Sequence, residues 1–382
     1  MSRQVALGAA PRHWPRWNSM ERAGSGAEGN RFQREEDLLR RVQSLLHRPE
    51  PHVVTGIGDD CAVLALPGAV DHLLVSTDLL LEHIHFELHQ QTFQQLGYKA
   101  LAVNLSDLAA MGADPLAVFV SLCLPRRCAA SDIEALYTGM EELARSVGAS
   151  IVGGDTSASA DSLMLSLTVL GLAPPAAVVR RSGAQPGDRL FVTGTLGDAA
   201  AGLEFLQRQD TEPPASANPA AAASGPPAGF PEAVVRQLAQ RYRLPRPRLS
   251  EGRWLARGGF ASAMLDLSDG LSTDLHRLCE ASRVGARLVL QDLPRSTALE
   301  AAAAFLQHGT EHYTLHGGED YELLAAVPAE RRETLLAQWP FRDTLLMEIG
   351  WVVPPQQGVK LITLAEREEV LPPGGFDHFA PG

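Results

Sequence analysis

Aspartates in apolar sequence are the residues of this chain whose type and position first suggest chemistry. From Ala100 to Ala113 the sequence is almost wholly apolar, yet it carries Asp107 in its middle and Asn104 one helical turn earlier. An ionised carboxylate removed from water is tolerated only when it is paired, hydrogen-bonded or bound to a cation. The stretch therefore indicates a metal ligand on a buried helix, and the alternative is an aspartate that caps a neighbouring element.

Further aspartates lie where predicted strands or turns end. They are Asp60 in the turn 56–60, Asp78 after the strand His72–Thr77, Asp155 at the end of the strand 149–155, and Asp266 and Asp269 around the end of the strand at 265. Each alone is explained as a turn or a cap. In folds that alternate strands with helices, ligands gather where strands end, and Mg²⁺ prefers carboxylate oxygens and bridges them to phosphates. Together the acidic positions predict a site for hard cations that hold a polyphosphate.

The usual nucleotide-binding motifs are missing. No GxxxxGK[ST] occurs, because neither of the two lysines, Lys99 and Lys360, follows a glycine-rich loop, and no strand is followed by GxGxxG. A nucleotide would therefore be held through metals, backbone amides and Arg181.

A chain of 382 residues is too long for one ordinary hydrophobic core, so we predict that two domains position these residues. We predict an unstructured extension at residues 1–30, an N-terminal α/β domain at 31–173 and a C-terminal α/β domain at 174–382. The second domain carries a flexible Ala/Pro-rich insertion at 210–231.

Hydrophobic periodicity and capping signals predict the main helices and strands. The predicted helices are Phe32–Arg48, a helix that ends at Val147 and is capped by Ser131 with Glu134, Glu232–Tyr242 and Ser272–Ser282. The further predicted strands are Leu116–Leu124, Leu163–Leu172, the one that opens Leu190–Asp198, and Glu322–Val327. The fold class they indicate is α+β, a mixed α/β architecture.

Composition excludes several classes of function. The chain has 45% hydrophobic and 20% charged residues, as soluble globular proteins do, and its formal net charge of -12 argues against nucleic acid as a partner. No apolar run approaches the ~20 residues of a membrane span. The four cysteines form no CxxC pair and no zinc-binding spacing, which is typical of a reduced, cytoplasmic protein.

A family resemblance rests on several motifs together. The chain contains, in this order, GIGDDCAVL, STDLLLEHIHF, YKALAVNLSDLAAMGADP, VGGDT, RRSGAQPGD, VTGTLGDAAAGL, LDLSDG, HGGEDYEL and GFDHF. This series resembles the thiamine-monophosphate kinase family of the aminoimidazole ribonucleotide synthetase superfamily. The resemblance covers Phe32 to Phe379 apart from the insertion.

The resemblance implies a two-domain aminoimidazole ribonucleotide synthetase-like fold and a homodimer formed through the N-terminal domains. It also implies phosphorylation of thiamine monophosphate by ATP to give thiamine diphosphate, by direct in-line transfer with several Mg²⁺ ions. Because the acceptor is a phosphate that is already ionised at neutral pH, no general base is required.

The resemblance also implies roles for individual residues. The implied metal ligands are Asp60, Ser76, Thr77, Asp78, Asp107, Asp155, Asp266 and Asp269. Asp78, Asp107 and Asp269 are the implied catalytic positions among them. The implied ATP contacts are Gly154, Asp155, Arg181 and Ser268. The implied contacts with thiamine monophosphate are His85, Glu319 and Phe376.

The substrate contacts have structural alternatives. Glu319 could instead cap the following strand, and Phe376 could be a packing aromatic of the C-terminal tail. His83 stands two residues from His85, and only the resemblance favours His85.

Other functions on the same scaffold predict different sequence features. A selenophosphate synthetase needs a reactive N-terminal cysteine and the hydrogenase-maturation relative a C-terminal one, whereas here the first cysteine is Cys61 and the chain ends in Pro381-Gly382. A non-catalytic ATP-binding regulator predicts gaps in the acidic set, and there are none.

Overall fold

The computed structural model describes residues 40, 42, 51–211, 230–306 and 308–378, with the side chains of 209–211 excepted. The predicted extension at 1–30, nearly all of the predicted helix Phe32–Arg48 and most of the predicted insertion lie outside these ranges.

The first half of the described chain forms a six-stranded sheet. Its strands are β1 (Val53–Thr55), β2 (Ala62–Ala65), β3 (His72–Leu81), β4 (Asp114–Pro125), β5 (Ser150–Ser159) and β6 (Met164–Ala173), in the order β1-β2-β3-β6-β4-β5. Only the β4–β5 pair is parallel. Strands β3 and β6 pair along their whole length, from His72 with Ala173 to Leu81 with Met164. Along β6 buried and half-buried residues alternate, so one face of the sheet is covered and the other is open.

Two helices cover that face, α1 (Phe93–Ala110) and α2 (Ala130–Val147). A capping box starts α1, in which the Thr92 hydroxyl accepts from the backbone N–H of Gln95 and the Gln95 side chain accepts from that of Thr92. The two helix backbones touch, because a Cβ on Gly97 would lie 1.9 Å from the carbonyl oxygen of Leu136. Helix α1 is thus buried on nearly every side, as its apolar sequence predicts.

The second half forms a seven-stranded sheet with seven helices around it. The strands are β7 (Arg189–Thr193), β8 (Ala263–Asp266), β9 (Gly285–Val289), β10 (Leu323–Val327), β11 (Leu346–Val353), β12 (Val359–Ile362) and β13 (Glu368–Val370), in the order β13-β12-β9-β11-β7-β10-β8. The helices are α3 (Asp198–Thr211), α4 (Glu232–Arg243), α5 (Leu249–Arg257), α6 (Leu271–Ser282), α7 (Thr297–Leu306), α8 (Thr310–His316) and α9 (Arg332–Gln338). Two mixed sheets with flanking helices confirm the predicted α+β class.

Most sequence-predicted elements are present, but three boundaries were wrong. Strand β3 does not end before Asp78 but continues to Leu81, because Leu79–Leu81 go on pairing with β6. Strand β5 likewise runs through Asp155, four residues beyond the predicted end. Helix α2 begins at Ala130 rather than after a Ser131 cap.

The start of α2 has a different hydrogen bond from the one predicted. The backbone N–H of Ala129 donates to the carboxylate of Asp132, at 2.8 Å, so the capping contact comes from inside the first turn. The predicted end at Val147 is confirmed, and Gly148 follows it in the left-handed region with φ 77°.

Both ends of the predicted insertion belong to ordered structure. Helix α3 extends to Thr211. Phe230, just before α4, stacks on Phe205 with ring centroids 5.2 Å apart. The part without described structure is therefore 212–229, narrower than the predicted 210–231.

None of the helices within the described ranges is long and apolar enough to cross a membrane.

Candidate functional site

Three carboxylates from distant parts of the chain meet between the two sheets. Asp60 lies in the loop before β2, Asp107 on α1 and Asp266 at the end of β8, and one oxygen of each lies within 4.8 Å of the others. Asp60 and Asp266 are buried and Asp107 is partly buried. We call these three residues the acidic cluster.

Strand β3 adds two predicted ligands to this cluster. Ser76 and Asp78 point from the strand toward α1, because alternate residues of a strand share a face. The Ser76 hydroxyl donates to Oδ2 of Asp107 at 2.5 Å. The backbone N–H of Asp78 donates to Oδ1 of Asn104 at 3.0 Å, and the Asn104 amide donates to the Ala100 carbonyl. Asn104 therefore fixes the backbone of β3 beside the cluster.

Burial and mutual repulsion raise the pKa values of these carboxyls. Burial, followed by the charges of Asp78, Asp266 and Asp60, raises the pKa of Asp107 well above its ordinary value. Burial and the charge of Asp60 do the same to the pKa of Asp266. Burial and the charges of Asp269 and Asp60 raise the pKa of Asp78 to about 6. A cation would remove this repulsion, so the donor set favours a bound divalent ion.

One carboxylate oxygen of Asp60 accepts hydrogen bonds from Arg181, and the other oxygen accepts none from the described residues. Arg181 donates to Oδ1 from Nη2 at 2.6 Å and from Nε at 3.0 Å. Oδ2 of Asp60 is buried and has no hydrogen-bond partner. A buried carboxylate oxygen without a donor is costly, and a hard cation is the partner that such oxygens accept. The residues present therefore fit Mg²⁺.

Asp59, which was not predicted as a site residue, fixes the backbone of Asp60 and of Arg181. Its Oδ1 accepts backbone N–H groups from Asp60 and Arg181, both at 3.1 Å. Burial and the Asp60 charge raise the pKa of Asp59 to about 6. The two adjacent aspartates of the GIGDDC motif were the sequence feature that could have indicated this role of Asp59.

Asp269 and Ser268 lie in the loop between β8 and α6. Asp269 pairs with Nη1 of Arg277 at 2.5 Å, and its charge acts on Asp78. The side chain of Asp274, which was also missed, accepts the backbone N–H groups of Asp269 and Gly270, each at 3.1 Å. Burial raises the pKa of Asp274 to about 7. Asp274 thus shapes the loop that carries the predicted ligand.

The C-terminal tail docks on this same loop. The backbone N–H of Gly375 donates to the Thr273 hydroxyl at 3.0 Å, and that of Phe376 donates to the carbonyl of Asp269 at 3.0 Å. A Cβ on Gly375 would lie 1.9 Å from the Asp269 carbonyl oxygen, so only glycine fits there. The half-exposed ring of Phe376 is therefore anchored next to a predicted metal ligand.

Glu319 and His85, the other predicted substrate contacts, are joined by two residues. The Glu319 carboxylate forms an ion pair with the buried ammonium of Lys99. Tyr242 packs its ring against that ammonium and donates from its hydroxyl to the carbonyl of His85 at 3.1 Å. Neither Lys99 nor Tyr242 was predicted from the sequence, although Lys99 stands out there as a charged residue in an otherwise apolar helix.

Thr77, Gly154 and Asp155 lie apart from the acidic cluster. Thr77 occupies the open face of the sheet, where its hydroxyl donates to the Leu167 carbonyl. A Cβ on Gly154 would lie 1.8 Å from the Val120 carbonyl oxygen, so close strand pairing accounts for this glycine. Asp155 is exposed on β5, the strand at the far edge from β1. The ligand roles of these three residues remain predictions.

The fold and the site define a known class of proteins. A family model described as AIR synthase related protein, N-terminal domain, matches residues 58–173. A second model, AIR synthase related protein, C-terminal domain, matches residues 185–361. The chain therefore contains both the N-terminal and the C-terminal domain of this class of proteins, in that order.

Individual relatives narrow the class further. The thiamine-monophosphate kinase of Bacillus subtilis (strain 168) is 34% identical over 341 residues, which cover 88% of this chain and 98% of that protein. The thiamine-monophosphate kinase of Escherichia coli (strain K12) is 37% identical over 343 residues, which cover 90% and 97%. A solved structure described as AaThiL complexed with AMPPCP and TMP has a TM-score of 0.76 and 30% identity, and the match covers 92% of this chain and all of that one. The chain belongs to the thiamine-monophosphate kinase family.

Proposed function

We propose that this protein transfers the γ-phosphoryl group of ATP to thiamine monophosphate, giving thiamine diphosphate and ADP. The observation that carries the proposal is the acidic cluster, set in a chain that is similar over nearly its whole length to thiamine-monophosphate kinases. The solved neighbour binds AMPPCP, an ATP analogue, together with TMP, which supports the same pair of substrates here.

The reaction exchanges one P–O bond for another. An oxygen of the substrate's phosphate attacks the γ-phosphorus, and the bond from that phosphorus to the β–γ bridging oxygen breaks. ADP leaves with the electron pair. Because the attacking oxygen is already ionised, no side chain has to remove a proton. The protein's task is to align the two phosphates and to balance their charge.

We propose that Mg²⁺ is bound by the acidic cluster together with Ser76, Asp78 and Asp269. The orphaned oxygen of Asp60 and the raised pKa values of Asp107 and Asp266 support this assignment. Bound Mg²⁺ supplies neutralisation of phosphate charge. Ser76 holds the carboxylate of Asp107 and Asn104 holds the backbone of Asp78. Arg181, bonded to Asp60, offers its remaining N–H groups to ATP beside Ser268.

We propose that thiamine monophosphate lies between His85, Glu319 and Phe376. The thiazolium of the substrate is a cation, so the Glu319 carboxylate and the face of Phe376 are suitable partners. Phe376 is attached to the Asp269 loop, which supports a position near the reacting phosphates.

We propose that the protein is a homodimer formed through its N-terminal domain, residues 31–173. The open face of the first sheet exposes Leu79, Phe119 and Val152, which are 48%, 43% and 55% accessible. Strand β6 places Thr168 and Ser166 between Leu79 and Phe119 on this face, so the surface mixes apolar and small polar side chains. A twofold axis would pair the face with itself.

The position of Asp155 is consistent with that dimer. Three strand spacings separate β5 from β3, which is about 14 Å at ~4.8 Å per strand. Within one chain Asp155 therefore cannot share an ion with Asp78. We assign its metal to the open face, on which the second subunit of the proposed dimer would lie.

A cytoplasmic location remains a prediction. All four cysteines are free, which supports a reducing compartment.

ADP release with separate acceptors tests the function. We expect release to depend on thiamine monophosphate and on Mg²⁺, with little release from unphosphorylated thiamine or from aminoimidazole precursors. Release with an aminoimidazole precursor alone would assign the protein to another activity of the superfamily. ATP binding without release for any acceptor would favour a regulator.

A further inference from the structure

Lys99 is a buried cation in helix α1, whose buried residues are otherwise mostly apolar. Its side chain is 1% exposed, and its ammonium contacts the Glu319 carboxylate and the face of the Tyr242 ring, 3.5 Å from the centroid. Burial by itself lowers the pKa of Lys99, but Glu319 and Tyr242 outweigh it and raise the pKa above the ordinary value. Lys99 is therefore a permanent charge. A buried charge is kept only where it has partners, and here the principal partner is a predicted substrate contact.

The two oxygens of the Glu319 carboxylate have different partners among the described residues. Oε2 pairs with Lys99, whereas Oε1 has a long contact of 3.5 Å with the Tyr321 hydroxyl. The backbone of Glu319 lies in the left-handed region with φ 69°, and its N–H donates to the Ser268 carbonyl at 2.7 Å. A non-glycine residue in this region is strained and persists only when its surroundings hold it. Lys99 is one of the groups that hold it.

The same ammonium also organises the other side of the substrate site. The Tyr242 ring lies against Lys99 while its hydroxyl donates to the His85 carbonyl, at 3.1 Å. The Nδ1 atom of His85 accepts the backbone N–H of Leu81 at 3.0 Å, so the imidazole N–H is on Nε2. Lys99 thus connects the loop after β3 with the turn before β10.

Lys99 and Asp107 are carried by one helix. They stand eight residues apart on α1, which is about 12 Å along the axis at 1.5 Å per residue. A single rigid element therefore carries a ligand of the acidic cluster and the partner of Glu319, so the distance between metal site and substrate site depends on α1.

We propose that Lys99 is a positioning residue for thiamine monophosphate, one that aims Oε1 of Glu319 into the substrate site and, through Tyr242, sets the loop of His85. The inference rests on the proposed function and deepens it, because it assigns a specificity role to a residue outside the predicted metal and ATP contacts.

The test is Lys99→Met, which keeps the length of the side chain and removes its charge. We expect the KM for thiamine monophosphate to rise at least 10-fold, while the KM for ATP and the Mg²⁺ dependence change less than 3-fold. Lys99→Arg retains the charge and should recover part of the loss. In the double variant Lys99→Met with Glu319→Gln, the two effects on the KM for thiamine monophosphate should not add, since each substitution removes the same ion pair.

Arg287→Met is the matched control. Arg287 is also a buried cation paired with a carboxylate, that of Glu368, but it lies on β9 in the second sheet. We expect it to lower the melting temperature without selective change in either KM. Should Lys99→Met not fold, Tyr242→Phe keeps the ring against Lys99 and removes the hydroxyl that contacts the His85 carbonyl. We expect a selective 2- to 5-fold rise in the same KM.

The outcomes separate the two proposals. An active wild type whose Lys99 and Tyr242 variants keep the KM for thiamine monophosphate, or raise both KM values equally, overturns the positioning role alone. A wild type that does not phosphorylate thiamine monophosphate overturns the proposed function and this inference with it.

Discussion

Asp107 is the residue at which the competing interpretations of the sequence make different predictions. An aspartate that only caps a neighbour would have donors around it, whereas Asp107 faces Asp60 and Asp266 and has a pKa raised by burial and by their charges. Its contact with Ser76 accounts for one oxygen. The environment of Asp107 is therefore repulsive without a cation, which is typical of a ligand rather than of a cap.

We predict that Asp107→Asn lowers kcat about 10²–10³-fold, as removal of other preorganised electrostatic groups does. In metal-free protein the same change should leave the melting temperature unchanged or higher, because one of several facing charges is lost. Melting temperature in EDTA and in Mg²⁺, and kcat, are measured on one preparation.

Asp114→Asn is the matched control for this variant. Asp114 pairs with Arg253 and Arg257 near the surface, so its substitution should cost about 1 kcal/mol of stability or less and leave kcat unchanged. A destabilised but fully active Asp107→Asn protein would contradict the metal-ligand assignment.

The two histidines of the HIHF run occupy different environments. His83 is exposed, pairs with Glu87 and has φ 70°, whereas His85 is half-buried and tied to Tyr242 and Leu81. We predict that His85→Ala raises the KM for thiamine monophosphate and that His83→Gly does not. Since glycine suits a left-handed backbone, His83→Gly should also keep or slightly raise the melting temperature. Titration of each substrate decides between them, and a selective effect at His83 would reverse the assignment.

At the scale of elements, α1 organises both halves of the proposed site. Its apolar surface is enclosed by the first sheet and by α2, and the close approach at Gly97 allows the two helices to touch. Because α1 is closely packed on both sides, its polar side chains are held in fixed positions by the packing of the helix itself.

Helices α3 and α4, which precede and follow residues 212–229 in the chain, contact each other directly. A Cβ on Gly202 of α3 would lie 2.3 Å from the Leu238 carbonyl oxygen of α4, so the two backbones touch. We predict that replacing residues 212–229 by a four-residue Gly-Ser linker keeps kcat within about 2-fold, because loop-closure entropy changes by only about 0.6 kcal/mol per doubling of length.

Phe230→Ala in the full chain is the comparison for that deletion. Its ring stacks with those of Phe205 and Phe305, so its loss should cost about 1–3 kcal/mol of stability without a selective effect on either substrate. Chemical denaturation and kcat measure both variants. If the deletion rather than Phe230→Ala abolished activity, residues 212–229 would have a direct role at the site.

At the scale of the whole molecule, buried carboxyls around the acidic cluster link stability to pH and to Mg²⁺. The pKa values of Asp59 and Asp78 are raised to about 6 and that of Asp274 to about 7, from an ordinary value of 3.8. Between about pH 4 and 7 the folded state therefore holds protons that the unfolded chain has released. Such groups favour folding at low pH, and their contribution is lost as the pH rises through these values.

We predict that the melting temperature in EDTA falls by about 2–5 °C between pH 5 and pH 8 and that Mg²⁺ removes most of this fall. Asp78→Asn should show a shallower fall in EDTA, because one titrating group is gone. A melting temperature that rises with pH in EDTA, or that does not respond to Mg²⁺ at pH 8, would contradict a metal-linked cluster.

The sequence by itself determined much of this protein. The period of its apolar residues predicted β6, α4 and the β8–α6 junction, and the order of its motifs indicated the family that the comparisons confirm. Those features are local, or are carried by residue identity, so they can be read without coordinates. The aspartates were visible for the same reason, as costly residues in apolar surroundings.

Only the tertiary structure decided which of these residues meet. Neighbouring positions on β3 face opposite sides of the sheet, which joins Ser76 to Asp107 and separates Thr77 from it. The ion pair of Lys99 with Glu319 joins positions far apart in sequence. Charges interact through space with an energy that depends on their distance and burial, and no local pattern in the sequence contains either quantity.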